Sequence, residues 1–465
     1  MRNRMKWLAL MLVFGMVAAA CGSSSDTTEA PAETEAPAAT EAPAATEAPA
    51  ETEAPTETEP MEDMEIATDF GVDLDAGVIR VGMLSDLTGP FGPLVSAILA
   101  GTQAYWDGVN AAGGVNGLQV ELVVRDTVYV IDNHIAFYEE IKDDVVALGH
   151  STGSPHTVAI NPQLQADGML AIPLTWYSGW SDPAINANLL SHGTPYCVEA
   201  HNTLGYITTE ALPDATTIAI ASVPGDYGQD SAQGAKLAAE AAGLTVVYDG
   251  EGAIIPSDET TLTAVADGIV DSGADVVWVA TTPATMSSIY GQALAQGFEA
   301  IWSGPSPSFS PAFVAPDSAI KDAFTRDFIG GTYTSLWSDD ATSALGEQLV
   351  GAGLPPSDYY FEGVVEAQIM HAALLQAYEN GDMTRAGVLA AGKSLDNVDF
   401  GGIAPSEAYS GDAADRLQRQ GTVYKPDPDG LAAGTSGGTV SLETNYTSDL
   451  AANFDFTGAC YTLGG

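Results

Sequence analysis

Short apolar runs alternate with helical stretches along this chain, and nearly every apolar run ends in a turn rich in Gly, Pro, Ser or Thr. That rhythm constrains the fold more than any other feature. Residues 78–84 read as a strand of the fully buried kind, and residues 85–93 as a Gly/Pro-rich turn at its end. A helix over 95–112 follows, closed by Gly113-Gly114. Strands are predicted at 118–124, 145–148 and 169–172, with helices at 132–143 and 155–167 between them. Such βα alternation is the signature of a parallel, doubly wound sheet. Ligands of these sheets sit outside the carboxyl ends of the strands. The turns at 85–93, 149–154 and 173–178 all fall on that edge.

Residues 195–202 break the rhythm and read as a first crossing, after which the pattern restarts. Strands are predicted at 217–223, 244–248, 275–280 and 300–302, with helices at 231–242, 262–272 and 284–296. Residues 330–334 read as a return crossing, ahead of a long helix over 359–380 and a short one over 384–391. A third crossing is expected within 401–420. The Thr-, Asn- and Asp-rich tail, 440–463, has no assignable pattern. The globular part, about 76–465, is too long for one core. The fold class that follows is α/β, with two doubly wound parallel-sheet lobes joined by three crossings. One lobe comprises 76–198 with 333–410, the other 199–332 with 411–465.

The first 75 residues stand apart. Arg2, Arg4 and Lys6 precede a short apolar core, and Ala18-Ala-Ala-Cys21 fits a lipobox. This reads as a secretory signal over 1–20, too short to span a membrane. Cys21 would then carry the lipid that anchors the mature protein outside the cytoplasm. Residues 21–75 are a Thr/Glu/Ala/Pro-rich, uniformly acidic stretch, read as an extended tether. A formal charge of −48 with 14 Lys and Arg excludes the basic stripe that a nucleic-acid surface needs. Beyond Cys21 only Cys197 and Cys460 remain. An exported chain can pair them; two separate buried thiols are the alternative.

The stretch around which the chain is organised is Ala147-Leu-Gly-His-Ser-Thr-Gly-Ser-Pro-His156. A strand over 145–148 leads into a hydroxyl-rich loop, 149–154. Ser154 is placed to N-cap the next helix, with Pro155 at its first position. A helix N-terminus offers free N–H groups and a positive dipole end, which suit a carboxylate or phosphate. Gly149-His-Ser-Thr-Gly153 is also a literal G-x-S-x-G, the nucleophile-elbow pattern of serine hydrolases. Ser151 would be its nucleophile, and His192, His201 or His371 its base. Five residues match by chance often, no His-Gly-Gly motif precedes them, and a hydrolase leaves the two-lobe repeat unexplained. No cofactor or metal site is indicated: His150 and His156 lack further ligands at zinc spacing. The acidic turn at 426–430 lacks calcium-loop spacing. Gly113, Gly114 and Gly117 follow a helix rather than a strand, unlike a dinucleotide fingerprint.

Residues 101–117, Gly-Thr-Gln-Ala-Tyr-Trp-Asp-Gly-Val-Asn-Ala-Ala-Gly-Gly-Val-Asn-Gly, and the following Leu-Gln-Val-Glu-Leu-Val-Val-Arg-Asp126 resemble a family signature. So does Gly82-Met-Leu-Ser-Asp-Leu-Thr-Gly-Pro90. The family is the type I periplasmic binding proteins, and within it the leucine/isoleucine/valine-binding proteins of ABC transporters. The resemblance spans roughly residues 78–424. It implies a non-enzymatic protein that captures a small polar solute between two lobes and docks on membrane permease subunits. A sensory binding lipoprotein shares every one of these residues. By resemblance, a ligand carboxylate would be held by Ser151, Thr152 and Ser154, and by Thr175 with Trp176. Phe91 would cover the ligand, Tyr227 in Asp226-Tyr-Gly228 would close the cleft, and Thr281 and Thr282 would add contacts. Where amino-acid binders of the family often carry an acid for the ammonium group, this chain has Ser306. That departure opens the ligand class to amides and simple carboxylates, with Asp226 as a candidate replacement.

Overall fold

A computed structural model describes residues 65–182, 184–411 and 416–462. The predicted leader, Cys21 and the tether through residue 64 lie outside the described residues. Folded structure begins earlier than the composition suggests. Strand β1 (Ala67–Thr68) pairs with the much later β12 (Asp382–Met383), and β2 (Val72–Asp73) runs antiparallel to the start of β3 (Val78–Ser85). The apolar Ile66 and Val72 pack into the core, so the last ten residues assigned to the tether belong to the fold.

The first sheet places β3, β4 (Gln119–Asp126), β5 (Ala147–Thr152) and β6 (Leu170–Leu174) in the order β4-β3-β5-β6, all parallel. The second sheet repeats that order with β7 (Thr217–Ser222), β8 (Thr245–Gly250), β9 (Val276–Ala280) and β10 (Ile301–Ser303), as β8-β7-β9-β10. Both sheets therefore reverse direction of growth beside their first strand, the position where doubly wound sheets bind ligands. β9 is buried at every residue, and β5 likewise, as strands covered by helices on both faces must be.

Helices α1 (Gly92–Ala111), α2 (Ile131–Ile141) and α3 (Ser154–Asp167) connect the first sheet. After α4 (Tyr196–Tyr206), helices α5 (Asp226–Ala242), α6 (Glu259–Ser272) and α7 (Pro283–Ala295) connect the second. The short α8 (Lys321–Asp327) and α9 (Ser343–Gly351) lead to the long α10 (Tyr359–Glu379), followed by α11 (Arg385–Lys393). α10 lies against α1 because two glycines allow it. A Cβ on Gly101 would sit 2.1 Å from the Tyr360 carbonyl oxygen, and one on Gly363 would sit 1.9 Å from that of Ile98. This contact fixes the α1 face that carries Leu94, Val95 and Ile98 beside the start of α10.

A third sheet joins the return crossing to the tail. β11 (Gly330–Thr332), β13 (Gly421–Pro426) and β14 (Thr439–Tyr446) run antiparallel in the order β11-β13-β14. β13 follows directly on 401–420, the stretch where a third crossing is expected, and its Thr422, Val423 and Tyr424 are buried. The tail is also tied down. Cys197, in α4, forms a disulfide with Cys460, and the Tyr461 carbonyl accepts from Tyr177 Oη at 2.7 Å. Closing a loop of 263 residues restricts the unfolded chain strongly. Reducing this bond is expected to lower the unfolding free energy by about 2–5 kcal/mol, read as a lower denaturant midpoint. A Cys197→Ser/Cys460→Ser protein as stable as the oxidised parent would contradict this.

Candidate functional site

The carboxyl ends of both sheets meet around a cavity. It holds about 460 Å³ not filled by atoms, counting the part open to solvent. α1 supplies an apolar wall of Leu94, Val95 and Ile98, with Phe91 at its N-cap. The turn that presents Phe91 is held by two aspartates at strand ends. Asp86 accepts from the N–H groups of Gly89 and Phe91 (2.7 and 2.9 Å), and Asp126 accepts from Leu87 N–H and Thr88 Oγ1 (3.0 and 2.7 Å).

Aromatic rings close the cavity in a continuous chain. Phe91 meets Tyr129 at 5.0 Å and Tyr227 at 6.1 Å, Tyr227 meets Tyr196 at 4.9 Å, and Tyr196 meets Trp176 at 5.9 Å. These edge-on contacts are the favoured geometry for aromatic pairs. Tyr227 comes from the first turn of α5, and its hydroxyl donates to the Thr281 carbonyl at 2.9 Å. Tyr129 is delivered by a strained turn: Val128 and Tyr129 have φ of 53° and 54°. A left-handed β-branched residue costs about 1–2 kcal/mol, and such strain clusters at functional positions.

The polar edge is the end of β5 and the start of α3. Here the strand runs four residues further than its apolar run suggests, ending in the hydroxyl residues Ser151 and Thr152. Strand alternation then decides which side chain faces the cavity. Thr152 lines it. Ser151 points away, bonded to His134 Nε2 at 3.0 Å and Thr157 Oγ1 at 2.8 Å. Gly153, at φ 93°, is the N-cap in place of Ser154; only glycine adopts that backbone freely. Ser154 becomes the first helical residue, lines the cavity and hydrogen-bonds to Thr175 Oγ1.

Of the ten ligand positions inferred from the sequence, Phe91, Thr152, Ser154, Trp176, Tyr227 and Ser306 line the cavity. The other four lie behind it. Ser151 is on the wrong face of β5, and Thr175 supports Ser154 from beneath. Thr281 offers its carbonyl to Tyr227. Thr282 caps α7, accepting from Thr285 N–H at 3.4 Å. Ser151 is fully buried, faces away from the cavity and has His134 as its imidazole partner, not one of the three histidines named as its base. His201 bonds the Cys197 carbonyl, His371 meets Tyr105 Oη, and His192 faces Glu366, so none of them is bonded to Ser151.

Sequence reasoning missed Tyr129, Tyr196 and, above all, Glu362. Glu362 is the one acid among the lining residues, and Lys and Arg are absent from that lining. Burial pushes its carboxyl well above the usual range, reinforced by Glu366, Glu199 and Asp358. Two glutamates four residues apart on the buried face of an apolar helix were the available signal. Asp226, the suggested ammonium partner, is not among the lining residues; burial raises it to about 6 against its own and the Tyr227 N–H groups. The amide of Ser306 donates to Glu199 Oε1 at 2.8 Å.

Asp230 fastens the two halves beside the cavity. It accepts from the Ser178 N–H at 3.1 Å and from Ser178 Oγ. Burial raises it to about 7 from 3.8, outweighing its hydrogen bonds to Ser178, Tyr461 and Cys197. The folded protein therefore keeps a proton between about pH 4 and 7 that the unfolded chain has released. Stability from this group is present at low pH and is lost as pH rises towards 7. The melting temperature is expected to fall between about pH 4 and 7, and to fall less in Asp230→Asn. Equal slopes in the two proteins would refute this assignment.

A family model described as "Periplasmic binding protein" matches residues 78–430. No curated protein matches the chain by sequence. A fatty acid ABC transporter substrate-binding protein from Thermomonospora curvata superposes with a TM-score of 0.75 at 28% identity, covering 84% of this chain and 97% of that one. A branched chain amino acid ABC transporter protein from Thermus thermophilus with bound valine gives 0.65 at 20% identity, covering 80% and 97%. A possible leucine/isoleucine/valine-binding protein from Rhodopirellula baltica gives 0.62 at 16% identity, covering 80% and 98%.

Proposed function

The chain belongs to the periplasmic binding protein family, and on that premise we propose that it is the lipid-anchored solute-binding component of an ABC importer for a short aliphatic carboxylic acid. Proteins of this family bind solutes and are not enzymes. Cys21 would carry the anchor, the tether would hold the binding unit away from the membrane, and permease subunits would receive the loaded form. The lobes proposed from the sequence, 76–198 with 333–410 and 199–332 with 411–465, would hinge over the ligand, with residues 65–75 added to the first.

One observation carries the ligand class. The apolar wall of Leu94, Val95 and Ile98 shares a cavity with the hydroxyls and amides at the start of α3. A carboxylate head suits the second and a hydrocarbon body the first. Glu362, kept protonated by burial, is a donor to a carboxylate oxygen rather than a ready partner for an ammonium group. The T. curvata neighbour is named for fatty acids, which agrees with this class, although the space here favours a short chain.

The second reading is an aliphatic amino acid, with Glu362 ionised by the ligand's ammonium group. The matched pair leucine and 4-methylpentanoate, which differ by that group alone, separates the two. In a thermal-shift assay, ligand at 100 times its Kd adds about 2.7 kcal/mol of stability. 4-Methylpentanoate is expected to stabilise the protein and 3-methylbutylamine to leave it unchanged. Stabilisation by leucine alone would replace the acid by the amino acid. Silence towards both would remove carboxylates as the ligand class.

A further inference from the structure

Behind the polar edge of the cavity, Thr152 heads a chain of three side chains that continues through His150 to Glu366. Thr152 Oγ1 lies 2.7 Å from His150 Nε2, and His150 Nδ1 lies 3.0 Å from Glu366 Oε2. The second oxygen of Glu366 faces His192 Nε2 at 3.5 Å. The side chains of His150, His192 and Glu366 are fully buried, yet Thr152 reaches the cavity. The arrangement comes from two elements alone. β5 places His150 and Thr152 on one face by strand alternation, and α10 brings Glu366 one turn after Glu362.

The order carboxylate–imidazole–hydroxyl has two proton arrangements over the same heavy atoms. With His150 neutral, Nδ1–H donates to Glu366 and Nε2 accepts the Thr152 O–H. Thr152 then shows only lone pairs to the cavity, and these repel a carboxylate. With a proton added at Nε2, the imidazolium donates to both neighbours. The Thr152 O–H is released and can donate to the ligand. Glu366 makes the second state accessible, since a buried imidazolium needs a paired anion.

We infer that Glu366, His150 and Thr152 form a relay through which a carboxylate bound at Thr152 draws one proton from solvent onto His150. The inference rests on the carboxylate head proposed above and holds for an aliphatic acid and an amino acid alike. No covalent bond is made or broken. The proton comes from water, ends on His150 Nε2, and returns to solvent when the ligand leaves.

The neighbouring charges leave Glu366 as the anion that serves His150. On α10, Glu362 is held protonated by burial. From α2, burial pushes His134 down to about 3, so it stays uncharged. Glu407, pushed up to about 7 by burial, interacts with His192 rather than His150. Tyr333 faces both Glu362 and Glu366 and, buried, keeps its proton. Glu366 itself is driven up by burial and brought below the usual value by His150 and His192.

Calorimetric titration of the protein with 4-methylpentanoate and leucine, in buffers of different ionisation enthalpy, tests the relay. The slope of observed heat against buffer enthalpy reads the protons taken up. Wild type is expected to take up close to one proton per carboxylate bound above neutral pH. Glu366→Gln keeps an acceptor for Nδ1–H but removes the anion. It should lose the uptake and bind the acid about ten- to a hundredfold more weakly. Thr152→Val leaves the His150–Glu366 pair intact and should also lose the uptake. Uptake that persists in Thr152→Val would place the proton on His192 or elsewhere and overturn the relay. Tight carboxylate binding without proton uptake in wild type would overturn it as well, while leaving the ligand class standing. Binding of neither compound would remove the ligand class and the relay together.

Discussion

The cavity closes over carboxyl groups, and burial favours the protonated form of most of them. Glu199, Glu362 and Asp230 are fully enclosed, and desolvation drives each far above its ordinary range. A neutral acid costs little to bury, accepts and donates hydrogen bonds, and needs no cation. This matters in a chain with 62 acidic and 14 basic residues, which has few cations to place inside. Glu366 is the exception, held ionised by two histidines. The rest of the site is built around these groups: Glu199 fixes the Ser306 amide, Asp230 joins Ser178 to the second half, and Glu362 lines the cavity.

The same scarcity of cations bears on how the proposed carboxylate would be received. Among the residues lining the cavity there is no Lys or Arg, so recognition falls to hydroxyls and to the N-terminal amides of α3. Those are partial charges fixed by the backbone, already oriented before ligand arrives. The strong acidic excess of the chain, a formal net charge of −48, would slow the approach of an anion, and salt would ease that repulsion. In the proposed complex, a short hydrocarbon body against Leu94, Val95 and Ile98 would contribute the burial that a weakly held head group cannot.

Most of the architecture was legible because buried parallel strands are runs of aliphatic residues and helices end in glycine. Val78–Ser85 and Val276–Ala280 fall close to where the apolar pattern places them. What misled was the end of β5. Its last residues are Ser and Thr, which look like loop, yet they continue the ladder with β6. Four residues of extra strand turn Ser151 from an expected ligand contact into a buried partner of His134. β13 was not legible as a strand for a related reason: it is short, mixed in composition and stabilised by pairing with β11, a contact between residues about 90 apart that no local pattern reveals. Glu362 and Tyr129 were missed because their roles depend on the α1–α10 packing and on a left-handed turn, and both arise only in three dimensions.

A crystal structure of the protein with 4-methylpentanoate tests the central claim most directly. The account predicts the carboxylate about 2.7–3.0 Å from Thr152 Oγ1 and the Ser154 amide. The methyl groups should lie against Leu94 and Ile98, and Glu362 should be bonded to a carboxylate oxygen. A ligand seated in the reverse direction, or outside the ring of Phe91, Tyr129, Tyr227, Tyr196 and Trp176, would contradict it.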